Sequence, residues 1–211
     1  VNDTQVLNNG YPMPSIGLGV YKITDEDMEN VVNTAIETGY RAFDTAYFYG
    51  NEVALGKALQ NSGVDREDLF ITSKLWNDYQ GYDNTIEYFN QSLENLGLDY
   101  IDLFLIHWPC EKDGLYIESY KALEKLYDEG KVKAIGVCNF KQHHLEKLME
   151  ETEVVPQVNQ IELHPYFNQE DVQEFCDNHD IKVTAWMPLM RNRGLLDDST
   201  IVDIAKRYDK T

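Results

Sequence analysis

The sequence predicts an α/β protein of the (β/α)8 barrel type, and three observations carry that expectation. Apolar runs rich in β-branched residues recur roughly every 24 to 32 residues, with helical patterns between them. The runs are near-continuous rather than alternating, as strands buried on both faces of a parallel sheet require. Nearly every run ends on a polar, chemically capable residue: Asp44, Lys74, His107, Asn139, Gln160 or Trp186. In a barrel those strand ends converge on one face, where active sites are built. An open doubly wound sheet is the competing architecture, but no G-x-G-x-x-G turn follows the first run.

The elements follow in order. Residues 4–19, TQVLNNGYPMPSIGLG, carry an Asn-Gly turn between short strand-like pieces and predict a hairpin at the barrel bottom. The strand runs are 41–46, 69–75, 100–108, 132–140, 156–163 and 181–189. Between them, DEDMENVVNTAIETG begins with acids and stops at Gly39, as helix start and stop signals do. NEVALGKALQNSG, NTIEYFNQSLENLG and YIESYKALEKLYDEG likewise end on Gly63, Gly97 and Gly130. KQHHLEKLMEE and NQEDVQEFCDNH supply two more helices, and STIVDIAKRYDKT begins another. Residues 1–211 are thus expected to form a single barrel domain with about six βα units, two short of a closed wall. A continuation of about 60 to 70 residues is the expected remedy, since two βα units and a tail have that length.

Composition narrows the function classes. The chain is 43% hydrophobic and 26% charged, ordinary for a soluble globular protein. A net charge of −19 argues against nucleic acid or anionic membrane as a partner, because both are polyanions. No run is long enough for a transmembrane helix. The opening residues have neither the basic region nor the apolar core of a signal peptide. Cys110, Cys138 and Cys176, odd in number and without CxxC spacing, suit a reducing cytoplasm. No metal site is expected, because the five histidines show no ligand spacing. A monomer is expected.

The stretch AFDTAYFYGNE (42–52) places Asp44 and Tyr49 at a strand-to-helix junction. Beside Lys74 and His107 that placement has a chemical meaning. A phenol is a poor acid at neutral pH, and a nearby ammonium stabilises the phenolate and lowers its pKa. An aspartate holds the lysine in place and keeps it charged. A neutral histidine can donate a hydrogen bond to a substrate oxygen. Together they suit protonation of an oxygen that turns negative, such as a carbonyl receiving a hydride. Singly, each has a bland explanation: a cap, a packed ring, a surface amine, a core imidazole. Four on one face are harder to explain that way.

These residues also resemble a known family, the aldo-keto reductases, which reduce carbonyls with NADP(H) on a (β/α)8 barrel. GYRAFDTAYFYGNEVALGKAL and LGLDYIDLFLIHWP are similar to the two family signatures. ITSKLW, GKVKAIGVCNF and VNQIELHPYFNQ follow in the family's order. The bacterial branch containing 2,5-diketo-gluconate and methylglyoxal reductases looks most similar. The resemblance implies that Tyr49 is the general acid, tuned by Lys74 and Asp44, while His107 orients the carbonyl. It implies NADPH (NADP+) as cofactor, with Asn139 and Gln160 on the nicotinamide carboxamide and Trp186, where many relatives carry Tyr, stacked on the ring. Met187, Pro188, Leu189 and Arg191 would lie along the pyrophosphate, and Asp44 would also belong to the cofactor site. Val20 and Tyr21 would line the mouth, and Trp76 and Trp108 would wall the pocket of a small-molecule carbonyl substrate.

Three departures from the family pattern stand out. Cys138 replaces a common serine, Met187-Pro188-Leu189-Met190 replaces a glycine-containing turn, and no late Lys-Ser phosphate motif occurs. NADP over NAD is therefore implied by resemblance alone. The alternative from another class is a non-catalytic barrel that binds nucleotide or a partner; its mark would be loss of Tyr49 or Lys74, and both are present.

Overall fold

The computed structural model describes residues 3–211. Strands β1 (Thr4–Val6) and β2 (Pro12–Pro14) pair antiparallel, with Gly10 at φ +84° in the turn between them. Seven further strands form one parallel sheet: β3 (Gly17–Gly19), β4 (Ala42–Asp44), β5 (Phe70–Leu75), β6 (Ile101–Ile106), β7 (Val132–Cys138), β8 (Val158–Glu162) and β9 (Lys182–Trp186). Their order in space is their order in the chain. A right-handed crossover between successive parallel strands always returns over the same face. With no reversal of strand order, the helices that join successive strands lie on one side, and the sheet is a curled barrel wall.

The helices are α1 (Asp25–Glu37), α2 (Glu52–Asn61), α3 (Tyr82–Leu96), α4 (Tyr116–Asp128), α5 (Gln142–Glu151), α6 (Glu170–Asn178) and α7 (Ser199–Arg207). Their ends follow local chemistry. Thr24 caps α1 by accepting the Asp27 N–H, and three acids in the first turn face the positive helix end. Gly97 stops α3 in the left-handed region, at φ +65°.

Period-two alternation splits the core in two. Phe43, Ile71, Leu75, Phe104, Ile106, Ile135 and Val137 face outward and pack with Met28, Leu55, Phe89, Leu123 and Leu145 of the helices. Ala42, Phe70, Leu103, Leu105, Ala134, Cys138 and Val158 face inward, closed off by Leu7, Tyr11 and Met13 of the hairpin. Each such large side chain removed from water contributes about 1.5–3 kcal/mol. The expected hairpin at the barrel bottom is therefore present. All six strand runs and all seven helical segments form.

One strand escapes the sequence count. Gly17–Gly19 pairs in parallel with Ala42–Asp44, so among the described residues the wall has seven strands and not six. The segment is too short and glycine-rich to show an apolar run, and at Gly17 the space is tight: a Cβ there would sit 3.1 Å from the Ala42 Cβ. Leu18 between the two glycines is the strand's one side chain that packs on the outer core.

Candidate active site

The parallel wall delivers one residue after another to a single rim. Asp44 ends β4, Lys74 lies one residue from the end of β5, and Trp186 ends β9. His107 and Asn139 follow β6 and β7 directly, and Gln160 lies within β8. Inward-facing Phe70 sets the phase of β5, so Thr72 and Lys74 also point inward while Ser73 faces the helices.

Lys74 is buried, with its side chain 1% exposed. Its Nζ pairs with Asp44 Oδ1 and donates to the Thr45 carbonyl at 2.7 Å. Burial opposes the charge, but Asp44 and Tyr49 more than compensate and hold the lysine pKa above its ordinary value. Tyr49 sits on a 3-10 turn, Tyr47–Tyr49, ended by Gly50 at φ +69°. The Lys74 Nζ is 5.1 Å from the Tyr49 ring centroid.

The phenol departs from expectation. Burial raises the Tyr49 pKa and Asp44 adds to the rise, with the lowering by Lys74 insufficient to reverse it. The sequence reading expected a net lowering. Tyr49 instead holds its proton firmly at neutral pH, and the lysine limits the size of the rise.

His107 is pushed down to about 3 by burial and then by the Lys74 charge, so its imidazole is neutral at neutral pH. Its Nδ1 is buried without a partner, which leaves Nε2 as the nitrogen for a ligand oxygen. The Tyr49 and Trp76 rings both meet it edge-on, at centroid distances of 5.9 and 5.4 Å.

The two amides expected to meet a carboxamide are held by hydrogen bonds. Gln160 Nε2 donates to Asp44 Oδ2 at 2.8 Å. Asn139 Nδ2 donates to the His107 carbonyl at 3.0 Å, and Asn139 Oδ1 accepts the Trp186 Nε1–H at 2.8 Å. Each amide keeps donor and acceptor capacity in reserve, and the half-buried Trp186 ring adjoins Asn139, so these residues fit a nicotinamide.

Other predicted residues divide. Tyr21 is 40% exposed, with its ring centroid 4.8 Å from that of Tyr49. Arg191, in the loop after β9, sets its guanidinium 5.3 Å from the Tyr21 centroid. Pro188 and Leu189 are exposed on that loop and Met187 is half-buried, with left-handed backbone at Met187, Met190 and Arg191. Trp108 is a rim residue whose carbonyl accepts from Gln80, with no ring contact to His107. Val20 does not line the mouth. Its side chain is fully buried in the outer core, and its backbone groups bond Asp44, Ile23 and Asn51. Its contribution is to place Tyr21.

Two residues were missed. Asn51 reads as a helix cap, yet its side chain bonds the Val20 carbonyl and accepts from Thr45 Oγ1, tying the Tyr21 loop to the Tyr49 turn. Phe48 stacks on Trp76 at 3.8 Å and 19°, half exposed. Its signal was legible: three successive aromatics on a 3-10 turn point about 120° apart and cannot all be buried.

The fold also gathers Glu111, His143 and His144, a combination the sequence spacing did not suggest. His144 Nδ1 accepts the Lys141 N–H at 3.0 Å, capping α5. A neutral imidazole accepting at Nδ1 carries its proton on Nε2, the nitrogen facing Glu111 at 3.4 Å. That nitrogen has no lone pair for a metal while the cap is made.

Residues 15–211 match the model of the Aldo/keto reductase family. Among curated proteins, the chain is 48% identical over 212 residues to glyoxal reductase of Bacillus subtilis, covering 100% of this chain and 76% of that protein. It is 46% identical over 206 residues to methylglyoxal reductase DkgA of Escherichia coli, covering 97% and 74%. Among solved structures, a Gox0644 variant in complex with NADPH superposes with a TM-score of 0.94 at 43% identity, covering 100% of this chain and 76% of that one.

Proposed function

This chain belongs to the aldo/keto reductase family, and from that premise we propose that it reduces aldehydes or ketones to alcohols with NADPH, Tyr49 acting as proton donor. The observation that carries the reading is the buried Lys74–Asp44 pair beside a protonated phenol and a neutral imidazole. NADPH, when bound, supplies the hydride to the carbonyl carbon. The protein's residues do the rest. His107 Nε2–H donates to the carbonyl oxygen and orients it. As negative charge grows on that oxygen, the Tyr49 proton moves to it, and the phenolate left behind is stabilised by Lys74. Asp44 holds Lys74 charged through that change. Trp76, Phe48 and Tyr21 keep the reacting groups against apolar surface, where charge stabilisation is stronger than in water. Asn139, Gln160 and Trp186 would hold the nicotinamide, and the loop containing Arg191 would lie along the phosphates.

Short oxo-aldehydes are the first substrates to assay, given what the named relatives reduce. Purified protein should oxidise NADPH in step with alcohol formation from glyoxal or methylglyoxal. Lys74→Met should lower that rate about 100-fold or more. No carbonyl-dependent NADPH oxidation across a panel of aldehydes and ketones would overturn the proposal.

A further inference from the structure

The indole nitrogen of Trp186 suggests a role beyond ring stacking. Asn139 follows β7 at φ +61°, a left-handed position that Asn tolerates, and its N–H donates to the Gln160 carbonyl at 2.9 Å. Its backbone is thereby fixed, but a side-chain amide can still turn over about its last bond and exchange oxygen for nitrogen. Two neighbours forbid the exchange. The Trp186 Nε1–H only donates, and the His107 carbonyl only accepts. Turning the amide would set N–H against N–H and oxygen against oxygen.

We propose that Trp186 is a positioning residue that acts through Asn139, fixing its amide so that one Oδ1 lone pair and one Nδ2–H stay available to a primary carboxamide. The inference rests on the NADPH reading above. A phenol at this position would end in a hydroxyl that both donates and accepts, and could not enforce one orientation. The indole can. The bonded line runs from the end of β9 through the turn after β7 to the backbone of His107 after β6. It joins the residue expected to face the cofactor ring to the one expected to orient the substrate carbonyl.

Trp186→Phe keeps an aromatic face and removes the N–H. Titration with NADPH should show Kd rising about 3- to 10-fold, the range for one lost hydrogen bond. Asn139→Ala should weaken binding at least as much, and Asn139→Ala/Trp186→Phe should be no weaker than Asn139→Ala alone. A Trp186→Phe variant with unchanged Kd, or a double variant that shows the full product of the two effects, would overturn the proposal. A spectroscopic readout is independent of any cofactor. With only three tryptophans, indole N–H resonances are few, and the one lost in Trp186→Phe identifies Trp186. Asn139→Ala should move that resonance and speed its solvent exchange. If it stays in place, the positioning bond is absent. If it moves but the wild type binds no NADPH, the cofactor reading fails and the bond stands.

Discussion

Two buried ion pairs lie at opposite ends of the same wall, and they are finished differently. Near the start of β6, Asp102, 1% exposed, accepts from Arg66 at 2.6 Å, from the Tyr11 hydroxyl at 2.7 Å and from the Ile71 N–H at 2.8 Å. Near the strand ends, the buried member is the cation, Lys74, while the Asp44 side chain remains 24% exposed. The lower pair hides its anion and surrounds it with structural partners: a hairpin residue, an arginine on the 3-10 turn before β5 and a strand amide. The upper pair leaves its anion and the neighbouring phenol reachable from the rim. Both phenols have raised pKa values, through burial first. Tyr11 has its hydroxyl committed to Asp102, whereas Tyr49 has its proton to give. On the proposed reading, the same chemistry serves as a rivet in one place and as a proton donor in the other.

The widest separation between the two pairs should come from removing each cation. Arg66→Met removes the cation paired with the buried Asp102, leaving it the Tyr11 hydroxyl and the Ile71 N–H, and should cost about 3 kcal/mol of stability, with turnover per folded molecule unchanged. Lys74→Met leaves an anion that still has water and Gln160, so its stability loss should be about half as large. Its turnover should nonetheless collapse. The residual activity should also show its alkaline limb at higher pH, because the group that restrains the Tyr49 pKa is gone and that pKa rises further. Denaturant titrations and pH–rate profiles of both variants check this. Equal stability losses, or a limb shifted toward acid, would break the comparison.

A smaller effect concerns His107. Its pKa falls from an ordinary 6.5 to about 3 on folding, so the unfolded chain binds the extra proton between those values. Stability from this group is fully present above about pH 6.5 and is lost as pH falls toward 3. His107→Asn should therefore gain on the wild type steadily as pH drops through that window, with no such trend from pH 7 to 8. Urea midpoints across pH measure it, and parallel curves would contradict the burial argument.

Much of this was legible in the chain. The six long runs announce themselves because a strand buried on both faces must be apolar throughout, and their terminal Asp44, Lys74 and His107 stand out against that background. Strand β3 was not legible, because three residues of which two are glycine leave no hydrophobic run. Nor was the sign of the Tyr49 shift, which depends on how deeply the phenol is buried, a property of packing rather than of neighbours in sequence. Val20 misled for a related reason: adjacent residues on one loop point opposite ways, and only Tyr21 reaches the mouth. Asn51 shows the same limit, since a cap and a loop tie have one sequence and two geometries.

The most direct test sets the two phenols side by side. Tyr49→Phe and Tyr11→Phe each remove one hydroxyl, and for each the turnover of methylglyoxal at saturating NADPH and the unfolding free energy are measured on the same preparation. Tyr49→Phe should lose about 10²-fold or more in kcat, still bind NADPH, and stay within about 1 kcal/mol of wild-type stability. Tyr11→Phe should keep its kcat and lose about 1.5–3 kcal/mol, the value of a hydrogen bond to a charged group. Turnover within threefold of wild type in Tyr49→Phe would contradict the assignment of Tyr49 as the proton donor.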